Sequence, residues 1–407
     1  MSLLIKPSLL KGKIAIPPSK SLSHRAIICA SLCMEQSKID NIMFSDDIIA
    51  TIKGMKVLGT DIKEGHNFVL IKRNNMILNN IIDCNESGST LRFLIPLSLI
   101  LTDECVFTGK SRLLQRPLDV YYDVFRKYNI EYNTNTQKNY LRIKGSLYSG
   151  SYEMPGNVSS QFITGLLFAL PLLNGDSFLK VTGKLESKNY IDLTLDILKR
   201  YNIYIEKTDE YNYFIKGNQK YEAHDYTVEG DFSQAAFFLA ANSLGSSIEC
   251  HGLIYDSLQG DKEILNIIKK YSTNPNEIIL DASQIPDLVP IITVIAALKE
   301  NCTTNIVNAG RLRHKESDRL KSIAAEMNKL GAFVKETYDG LISKGKHSLD
   351  GGDRVNSWND HRIAMALAIA ATKCDNPIIL EGHQSVNKSY PKFWDDYQSL
   401  GGIVNEL

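Results

Sequence analysis

One pattern of apolar and polar positions recurs along the chain: an amphipathic helix that ends at a small or turn-forming residue and runs into a β-rich stretch. Glycine and asparagine suit such ends because helices commonly finish with one residue in the left-handed conformation. The copies follow one another roughly every 70 residues, a longer period than that of solenoid repeats. The pattern predicts six copies of one α+β unit, with turn positions at Gly59, Asn129, Asn202, Ser272, Gly331 and Gly401.

The six copies are expected to divide between two domains. A chain of 407 residues exceeds what one hydrophobic core usually holds, and each copy needs neighbours to bury its apolar face. A new helix opens at Gly230–Ser233 after a strand-rich segment, and Pro17-Pro18 is a stiff, extended connector where we place a second crossing. The predicted domains are residues 17–228, and residues 1–16 together with 229–407.

Composition excludes several classes of protein. The 46 basic and 46 acidic residues give no net charge, so the chain as a whole carries no footprint for duplex nucleic acid or an anionic membrane. The most apolar runs, such as Val289–Leu298, are about half as long as a membrane-spanning helix. No secretory signal pattern is found near the start, and we expect a cytoplasmic protein. Seven cysteines without a C-x-x-C pair argue against a disulfide framework and a structural zinc site.

Several predicted helices begin with basic residues or hydroxyls. A helix start carries a partial positive charge, so Lys or Arg there costs about 0.3–1 kcal/mol unless an anion is present. Helix starts of this kind bind anions. Together they predict one cleft that binds more than one phosphate or carboxylate. The residues concerned are Lys20 and Arg25, Gly88 to Arg92, Ser159 to Gln161, Lys315 and Arg319, and His361 and Arg362 after a capping Asp360.

Each of these features has an alternative that the sequence leaves open. Lys20 and Arg25 can be solvated surface charges, and Ser159-Ser160 can be a plain helix cap. The segment Lys315–Arg319 can be a charged helix face that pairs within itself. Further residues with solvent or capping alternatives are Arg116, Lys388 and Asp287.

Common catalytic motifs are missing from the sequence. It contains no G-x-x-x-x-G-K-[ST], no G-x-G-x-x-G after a strand, no H-E-x-x-H and no G-x-S-x-G. Nucleotide hydrolysis, nicotinamide redox chemistry and the common hydrolase mechanisms are therefore unsupported. His24 and His314 lie beside basic residues and are expected to be supporting or exposed groups, not metal ligands.

Ten stretches, in order along essentially the whole chain, closely resemble the EPSP synthase family, the 3-phosphoshikimate 1-carboxyvinyltransferases. The resemblance implies an α/β (α+β) enolpyruvyl transferase fold of two domains, each with three βαβαββ repeats and with helix N-termini facing the cleft between the domains. The stretches are Pro18–Arg25, Ser87–Arg92, Gln115–Leu118, Ser159–Gln161, Ser187–Asp192, Gly230–Ser233, Ile285–Asp287, Arg313–Arg319, Asn359–Arg362 and Lys388–Pro391.

The resemblance also implies a reaction. Members of the family transfer the enolpyruvyl group of phosphoenolpyruvate to the 5-hydroxyl of shikimate 3-phosphate by addition and elimination, releasing phosphate, on the shikimate pathway to chorismate and the aromatic amino acids. It implies no metal and no organic cofactor. It implies small-molecule substrates as partners, no nucleic acid or membrane, and a monomer. Gly88 keeps the glycine of the family, which implies sensitivity to the herbicide glyphosate.

Site residues follow from the resemblance, with shikimate 3-phosphate assigned to the 17–228 domain and phosphoenolpyruvate to the other domain. Expected at shikimate 3-phosphate are Lys20, Ser21, Arg25, Ser159, Ser160, Gln161, Ser187, Tyr190, Asp287 and Lys315. Expected at phosphoenolpyruvate are Lys20, Gly88, Arg116, Gln161, Glu316, Arg319, His361, Arg362 and Lys388. The arginines offer forked donors that suit carboxylate and phosphate oxygens.

The implied catalytic residues are Asp287, Glu316 and Lys20. Asp287 would take the proton of the attacking hydroxyl, Glu316 would handle the proton at the methylene carbon, and Lys20 would share that duty. Surrounding cations lower carboxylate pKa values, which suits Asp287 as a base and makes Glu316 a harder acid. Which carboxylate carries which proton stays open.

Two residues depart from the family pattern. Glu86 stands at a position where many members have a different residue, and Arg311 at a position where some members do, so their roles stay open.

Two rival functions are disfavoured by the sequence. The sister transferase that acts on UDP-N-acetylglucosamine carries a reactive cysteine where this chain has Ser111. A non-catalytic module that binds a phosphometabolite or an RNA end on the same scaffold would have lost Asp287 or Glu316, and both are present.

Overall fold

The computed structural model describes residues 2–77, 79–110, 112–135 and 137–407, so Ser111 lies outside the described residues. The α-helices are α1 (Lys20–Ser31), α2 (Asp46–Val57), α3 (Gly88–Leu101), α4 (Asp119–Lys127), α5 (Ser160–Ala169), α6 (Lys188–Arg200), α7 (Phe232–Ser243), α8 (Ile264–Ser272), α9 (Val289–Ala297), α10 (Arg319–Lys329), α11 (His361–Ala371) and α12 (Phe393–Ser399). Short 3-10 turns cover Leu113–Gln115, Leu170–Leu172, Gly260–Glu263, Pro286–Leu288, Gly310–His314 and His383–Lys388.

The strands are short and mostly alternate between buried and exposed positions, as expected for sheets with one covered face. They are β1 (Ser2–Lys6), β2 (Lys11–Ala15), β3 (Ser37–Asp40), β4 (Thr60–Glu64), β5 (Phe68–Arg73), β6 (Ile81–Asp83), β7 (Glu104–Thr108), β8 (Glu131–Asn135), β9 (Tyr140–Lys144), β10 (Ser151–Pro155), β11 (Ser177–Thr182), β12 (Ile205–Lys207), β13 (Asn212–Ile215), β14 (Tyr226–Thr227), β15 (Ser247–His251), β16 (Glu277–Asp281), β17 (Thr303–Val307), β18 (Phe333–Glu336), β19 (Leu341–Lys344), β20 (Leu349–Gly351), β21 (Arg354–Asn356), β22 (Cys374–Asn376), β23 (Ile378–Glu381) and β24 (Ile403–Glu406).

The chain forms two compact units. We call Pro18–Glu229 the inserted unit, and Met1–Pro17 with Gly230–Leu407 the split unit. Within the split unit, β1 pairs antiparallel with both β23 and β24, and β2 pairs parallel with β15. The amino-terminal strands therefore complete sheets whose other strands come from the carboxyl-terminal half of the chain.

Three four-stranded sheets of the inserted unit share one topology. Their strand orders are β14-β3-β5-β4, β6-β7-β9-β8 and β10-β11-β13-β12. In each sheet the first two strands are parallel, and the last two strands pair antiparallel as a hairpin. The repeat seen in the sequence is thus a repeat of sheet topology.

Two sheets of the split unit, β16-β17-β19-β18 and β21-β23-β1-β24, have the same order of one parallel and two antiparallel pairings. In the second of them the last pair joins β1 to β24, from opposite ends of the chain, and is not a hairpin. The remaining copy is shorter. It pairs β15 with β2, and after α8 the chain enters β16 at Glu277 instead of first forming a hairpin. The prediction of six copies is confirmed, and this shortened copy explains why one interval between turn positions is smaller than the others.

The predicted turn positions are confirmed at Gly59, Asn129, Asn202, Gly331 and Gly401, which have φ values of 89°, 53°, 60°, 87° and 91°. The prediction at Ser272 is wrong. Ser272 is the last residue of α8, and the left-handed position is Asn274, with φ 51°. The physical reason is the one that governs the other five copies, because asparagine tolerates this conformation better than serine.

The helices that carry the candidate site are buried around most of their circumference. In the inserted unit, α3 and α5 pack directly against each other. At Gly165 of α5 an added Cβ would lie 2.4 Å from the carbonyl oxygen of Arg92 and 2.3 Å from the hydroxyl of Tyr121, so only glycine allows this approach. Tyr121 donates to the same carbonyl over 2.6 Å. No helix in the described part of the chain is long and apolar enough to cross a membrane.

Candidate active site

Three buried helices of the inserted unit begin behind serine caps. Ser19, Ser87 and Ser159 precede α1, α3 and α5, and each side-chain oxygen accepts a hydrogen bond from a first-turn N–H, over 3.5, 3.2 and 3.3 Å. The first turns of these helices contain no acidic residue. A serine cap satisfies one donor without neutralising the partial positive charge. The predicted helix starts at Gly88 and Ser159-Ser160 are confirmed.

Gly88 brings two arginines and a glutamine together. A Cβ on Gly88 would lie 2.9 Å from Nη1 of Arg92, 3.0 Å from Nη1 of Arg116 and 3.5 Å from Oε1 of Gln161. Both arginines are 6% exposed, so the alternative that Arg116 extends into solvent is wrong. Arg92 donates to Oε1 of Gln161 over 2.8 Å, and Gln161 donates to Ser89 over 2.9 Å. The sequence placed Arg92 at one of the anion-binding helix starts, but the family resemblance gave it no role at either substrate.

Arg25 is a buried structural centre of the inserted unit. It is 2% exposed, so the alternative of a solvated charge is wrong. Its guanidinium donates to Oγ1 of Thr194 over 2.9 Å, to the carbonyl of Ser21 over 2.8 Å and to the carbonyl of Tyr190 over 2.9 Å. Burial lowers its pKa to about 10. A guanidinium has five N–H donors, so these contacts orient Arg25 and still allow it to bind an anion.

Lys20, the first residue of α1, pairs with an aspartate that sequence reasoning did not single out. Its Nζ lies 2.7 Å from Oδ2 of Asp47, at the start of α2, and the two side chains are 16% and 11% exposed. Because Lys20 is paired and mostly shielded from solvent, the alternative that it is a solvated surface charge is wrong as well.

Ser187 occupies a backbone conformation that is unusual for serine. It precedes α6 with φ 54° and is 3% exposed. Its carbonyl accepts from the backbone N–H of Tyr190, whose ring lies 5.9 Å from the Arg25 guanidinium. Left-handed non-glycine residues persist only where the surroundings hold them, and they cluster at functional sites. The structure thus brings Ser187, Tyr190 and Arg25 into one neighbourhood.

The split unit is organised around Arg319, the first residue of α10. Its Nε lies 2.8 Å from Oδ2 of Asp360, its Nη1 lies 2.7 Å from Oδ1 of Asp287, and its Nη2 lies 2.7 Å from Oε2 of Glu316. The Arg319 side chain is 2% exposed. Burial alone would lower the pKa of Arg319, but the carboxylates of Asp360, Glu316 and Asp287 outweigh burial and raise it well above its ordinary value.

Asp287 lies in the 3-10 turn before α9 and bonds two arginines, so the capping alternative is wrong. Besides Arg319, it accepts from Nη2 of Arg362 over 3.0 Å. Burial alone would raise the pKa of Asp287. The positive charges of Arg362, Lys315 and Arg319 outweigh burial and hold it well below the ordinary value. Asp287 is therefore an ionised carboxylate at neutral pH.

Lys315 lies before α10 and not in its first turn, which corrects the sequence expectation. The helix begins at Arg319, and its cap is Asp318, which accepts from the backbone N–H of Lys321 over 3.1 Å. Asp318 pairs with Arg313 over 3.1 Å. Within this segment Glu316 pairs with Arg319, with side chains 16% and 2% exposed, so the self-paired alternative is confirmed for that pair only. Burial lowers the pKa of Lys315 to about 8.

The start of α11 places the other predicted cations. Asp360 is the cap, as predicted, and its Oδ1 accepts from the backbone N–H of Arg362 over 2.9 Å. His361 and Arg362 are 2% and 4% exposed. Lys388, which is 6% exposed, donates from Nζ to the carbonyl of Asn359, so its solvent alternative is wrong. Asp360 thus links Arg362 to the same network that holds Asp287.

Two further groups were missed or left open. Asp261 is buried, accepts from the hydroxyl of Ser233, and has a pKa raised to about 7, chiefly by burial and then by the charge of Asp287. Nothing in the local sequence pattern marks it. Arg311 donates from Nη2 to the carbonyl of Ser283 over 2.7 Å. Its role and that of Glu86 stay open.

Among the described residues, no three His, Cys, Asp or Glu side chains come together as a group that could hold a metal ion. The seven cysteines are free thiols. His24 is buried, with Nδ1 2.7 Å from Oγ1 of Thr51, which agrees with a supporting role inside the fold.

The sequence profile of EPSP synthase (3-phosphoshikimate 1-carboxyvinyltransferase) matches residues 4–397. A relative with that enzyme name from Clostridium novyi (strain NT) is 50% identical, covering 99% of this chain and 98% of the relative. Another, from Clostridium acetobutylicum, is 52% identical with the same coverage. The chain belongs to the EPSP synthase family.

Solved structures agree with the fold. The structure of an EPSP synthase from Acinetobacter baumannii matches with a TM-score of 0.79 at 22% sequence identity, and the match covers 99% of each chain. A second structure of EPSP synthase from the same organism gives a TM-score of 0.78 at 21% identity. The expected fold class is therefore confirmed.

The lowered pKa of Lys315 gives a prediction that needs no substrate. Only the neutral amine reacts with an acylating reagent, so labelling of Lys315 by trace acetic anhydride, followed by mass spectrometry of the peptide, should be half-maximal at a pH of about 8. A half-maximum near the ordinary lysine value of about 10.4 would contradict the burial argument. Lys329, with a side chain 43% exposed, is an internal reference in the same digest.

Proposed function

We propose that this chain transfers the enolpyruvyl group of phosphoenolpyruvate to the 5-hydroxyl of shikimate 3-phosphate, giving 5-enolpyruvylshikimate 3-phosphate and phosphate. Family membership over residues 4–397 supports the reaction. The observation that carries the mechanism is the pair of carboxylates, Asp287 and Glu316, held 2.7 Å from two nitrogens of the same buried Arg319.

The proposed reaction has two halves. In the addition, the hydroxyl oxygen bonds to the central carbon of phosphoenolpyruvate, the hydroxyl proton goes to a base, and a proton is added to the methylene carbon. In the elimination, a proton leaves the new methyl group and the bond to the phosphate oxygen breaks. The proton taken from the hydroxyl leaves with the released phosphate, the proton added to the methylene carbon is given back, and the double bond is restored. The reaction therefore needs groups that hold protons at two separate positions.

Asp287 fits the base. Its pKa is held well below the ordinary value by Arg362, Lys315 and Arg319 despite burial, so it is ionised and its two oxygens are oriented by the two arginines. We assign the proton at the methylene carbon to Glu316, which shares Arg319, and a supporting part to Lys20. The shared arginine fixes the two carboxylates relative to each other, which is the requirement for two positioned proton transfers.

Binding roles are proposed from the same geometry. Helix starts without acidic first-turn residues favour anions, so the serine-capped starts of the inserted unit suit the phosphate and carboxylate of shikimate 3-phosphate. For this substrate we propose Lys20, Ser21, Arg25, Ser159, Ser160, Gln161, Ser187, Tyr190, Asp287 and Lys315. For phosphoenolpyruvate we propose Lys20, Gly88, Arg116, Gln161, Glu316, Arg319, His361, Arg362 and Lys388, with Arg319 acting chiefly to orient its carboxylates.

The assignment of one substrate mainly to each domain stays a prediction, as do a monomeric state and a cytoplasmic location. The absence of a required metal or organic cofactor is also a prediction, and the assay below tests it by omitting both.

Purified protein should release phosphate from phosphoenolpyruvate only when shikimate 3-phosphate is added, and not with UDP-N-acetylglucosamine, without added metal and with a chelator present. Asp287→Asn should lower kcat by about 10²–10⁴, since a positioned acid or base contributes that factor. The measurement is continuous phosphate release, with thermal unfolding to show that the variant is folded.

Two results would contradict the proposal. Phosphate release with UDP-N-acetylglucosamine would show that the chain catalyses the reaction of the sister transferase. Binding of shikimate 3-phosphate without any phosphate release would support the non-catalytic module instead.

Gly88→Ala should raise KM for phosphoenolpyruvate about tenfold, a loss of about 1.4 kcal/mol. The added Cβ would lie 3.0 Å from Nη1 of Arg116 and 2.9 Å from Nη1 of Arg92, so at least one guanidinium must shift. Gly310→Ala is a control for a glycine substitution, because Gly310 has no left-handed φ and a Cβ there would make only ordinary contacts, the nearest 3.5 Å from Cβ of Asp339. Equal KM values in the wild-type and Gly88→Ala enzymes would contradict a role of this contact in binding.

A further inference from the structure

Two left-handed residues stand immediately before the start of α11. Trp358 and Asn359 have φ values of 54° and 55°. Positive φ is tolerated by asparagine but is a genuine outlier for a bulky aromatic residue. Such a conformation persists only when neighbouring contacts hold it. The contacts that hold Trp358 therefore help to determine the path of the backbone into the start of α11.

A buried carboxylate holds this turn at two points. Glu326, in α10, is 1% exposed. Its Oε1 accepts from the indole N–H of Trp358 over 2.7 Å, and its Oε2 accepts from the backbone N–H of Asn356 over 3.0 Å. Oε2 also pairs with Nζ of Lys329 over 2.9 Å, and the Lys329 side chain is 43% exposed. A buried carboxylate is tolerated only when its oxygens are satisfied, and here the turn supplies two of the donors.

The turn leads directly to the proposed phosphoenolpyruvate residues. The carbonyl of Asn359 accepts from Nζ of Lys388. The next residue, Asp360, caps α11 through the backbone N–H of Arg362 over 2.9 Å and bonds Nε of Arg319 over 2.8 Å. The direction of the Asn359 carbonyl depends on its left-handed backbone, so the turn sets where the Lys388 ammonium lies.

We propose that Glu326 is a positioning residue: by fixing the left-handed turn at Trp358 and Asn359, it places Lys388 and Arg362 to hold the anionic groups of phosphoenolpyruvate. Glu326 bonds the turn and not the proposed substrate-binding residues themselves. The inference rests on the proposed function, because it is through those two cations that an effect on the reaction arises.

The chain allows a matched set of variants. Glu326→Gln keeps the shape and one acceptor for the indole but cannot accept from Asn356 with its amide nitrogen. Trp358→Phe leaves the carboxylate in place and removes the indole donor. Lys329→Met is the control, since it removes the surface ion pair of the same carboxylate and leaves both contacts to the turn.

We expect Glu326→Gln and Trp358→Phe each to raise KM for phosphoenolpyruvate about tenfold, with KM for shikimate 3-phosphate within twofold of wild type. Lys329→Met should leave both KM values unchanged. The sequence has two tryptophans, so in a Trp394→Phe background Trp358 is the only fluorophore of its kind. Its emission should shift to longer wavelength in Glu326→Gln, because losing the bond from the backbone N–H of Asn356 loosens the turn and exposes more of Trp358, which is already 37% exposed.

Three outcomes would overturn the inference. Unchanged KM values in both turn variants would show that the turn does not position the cations. Equal rises in the KM of both substrates would show a general structural role, and so would the same rises in Lys329→Met. If Glu326→Gln does not fold, Trp358→Phe decides alone. An inactive wild-type enzyme would overturn the proposed function itself. An active wild-type enzyme together with a Trp358→Phe variant whose KM for phosphoenolpyruvate is unchanged would overturn only this inference.

Discussion

The contact on which the split unit depends is the buried guanidinium of Arg319 with three carboxylates around it. Asp287 comes from the turn before α9, Glu316 from the loop before α10, and Asp360 from the cap of α11. One side chain therefore fixes three segments that lie far apart in sequence. A buried cation is tolerated only with such partners, and losing Arg319 would leave three carboxylates without the positive charge that they share. The starts of these helices and the two proposed proton-transfer groups are consequently held by the same interaction.

The two units treat helix starts differently. In the inserted unit the caps of α1, α3 and α5 are serines, and Arg25 and Arg92 are held by neutral acceptors such as Thr194 and Gln161. In the split unit the caps of α7, α10 and α11 are aspartates, and Asp360 pairs with Arg319. The serine caps preserve the positive potential at the helix starts for an anionic ligand. The aspartate caps lower that potential but hold carboxylates in fixed positions. A reaction that binds anions and also transfers protons requires both arrangements.

The sequence predicted what local chemistry determines. The six-copy repeat followed from helix ends that require a left-handed residue, and the caps followed from hydroxyl and carboxylate side chains beside apolar runs. The error at Ser272 is of the same local kind, since two residues later Asn274 meets the requirement better. The shortened fourth copy was visible only as one smaller interval.

Long-range partners could not be predicted in this way. Lys20 with Asp47, Arg92 with Gln161, and Glu326 with Trp358 join different segments whose approach depends on the packing of whole helices. The local sequence pattern shows that a residue is charged but not which partner neutralises it. Arg25 was therefore equally compatible with a solvated surface charge and with an anion-binding helix start. Family resemblance supplied the roles expected of Lys20, Arg25 and Gln161, while the structure supplied the contacts that orient them.

The most direct test of the central role of Arg319 is a single-turnover measurement of enolpyruvyl transfer in Arg319→Lys, with both substrates saturating. A lysine keeps the charge, but its three N–H groups lie on one nitrogen and cannot replace the three separate guanidinium nitrogens that bond the three carboxylates. We expect the transfer rate to fall at least about 100-fold, or about 2.7 kcal/mol, in a protein that still unfolds cooperatively. Arg313→Lys, in the same segment with a side chain 26% exposed, should stay close to wild type. A folded Arg319→Lys enzyme that transfers at the wild-type rate would contradict the account.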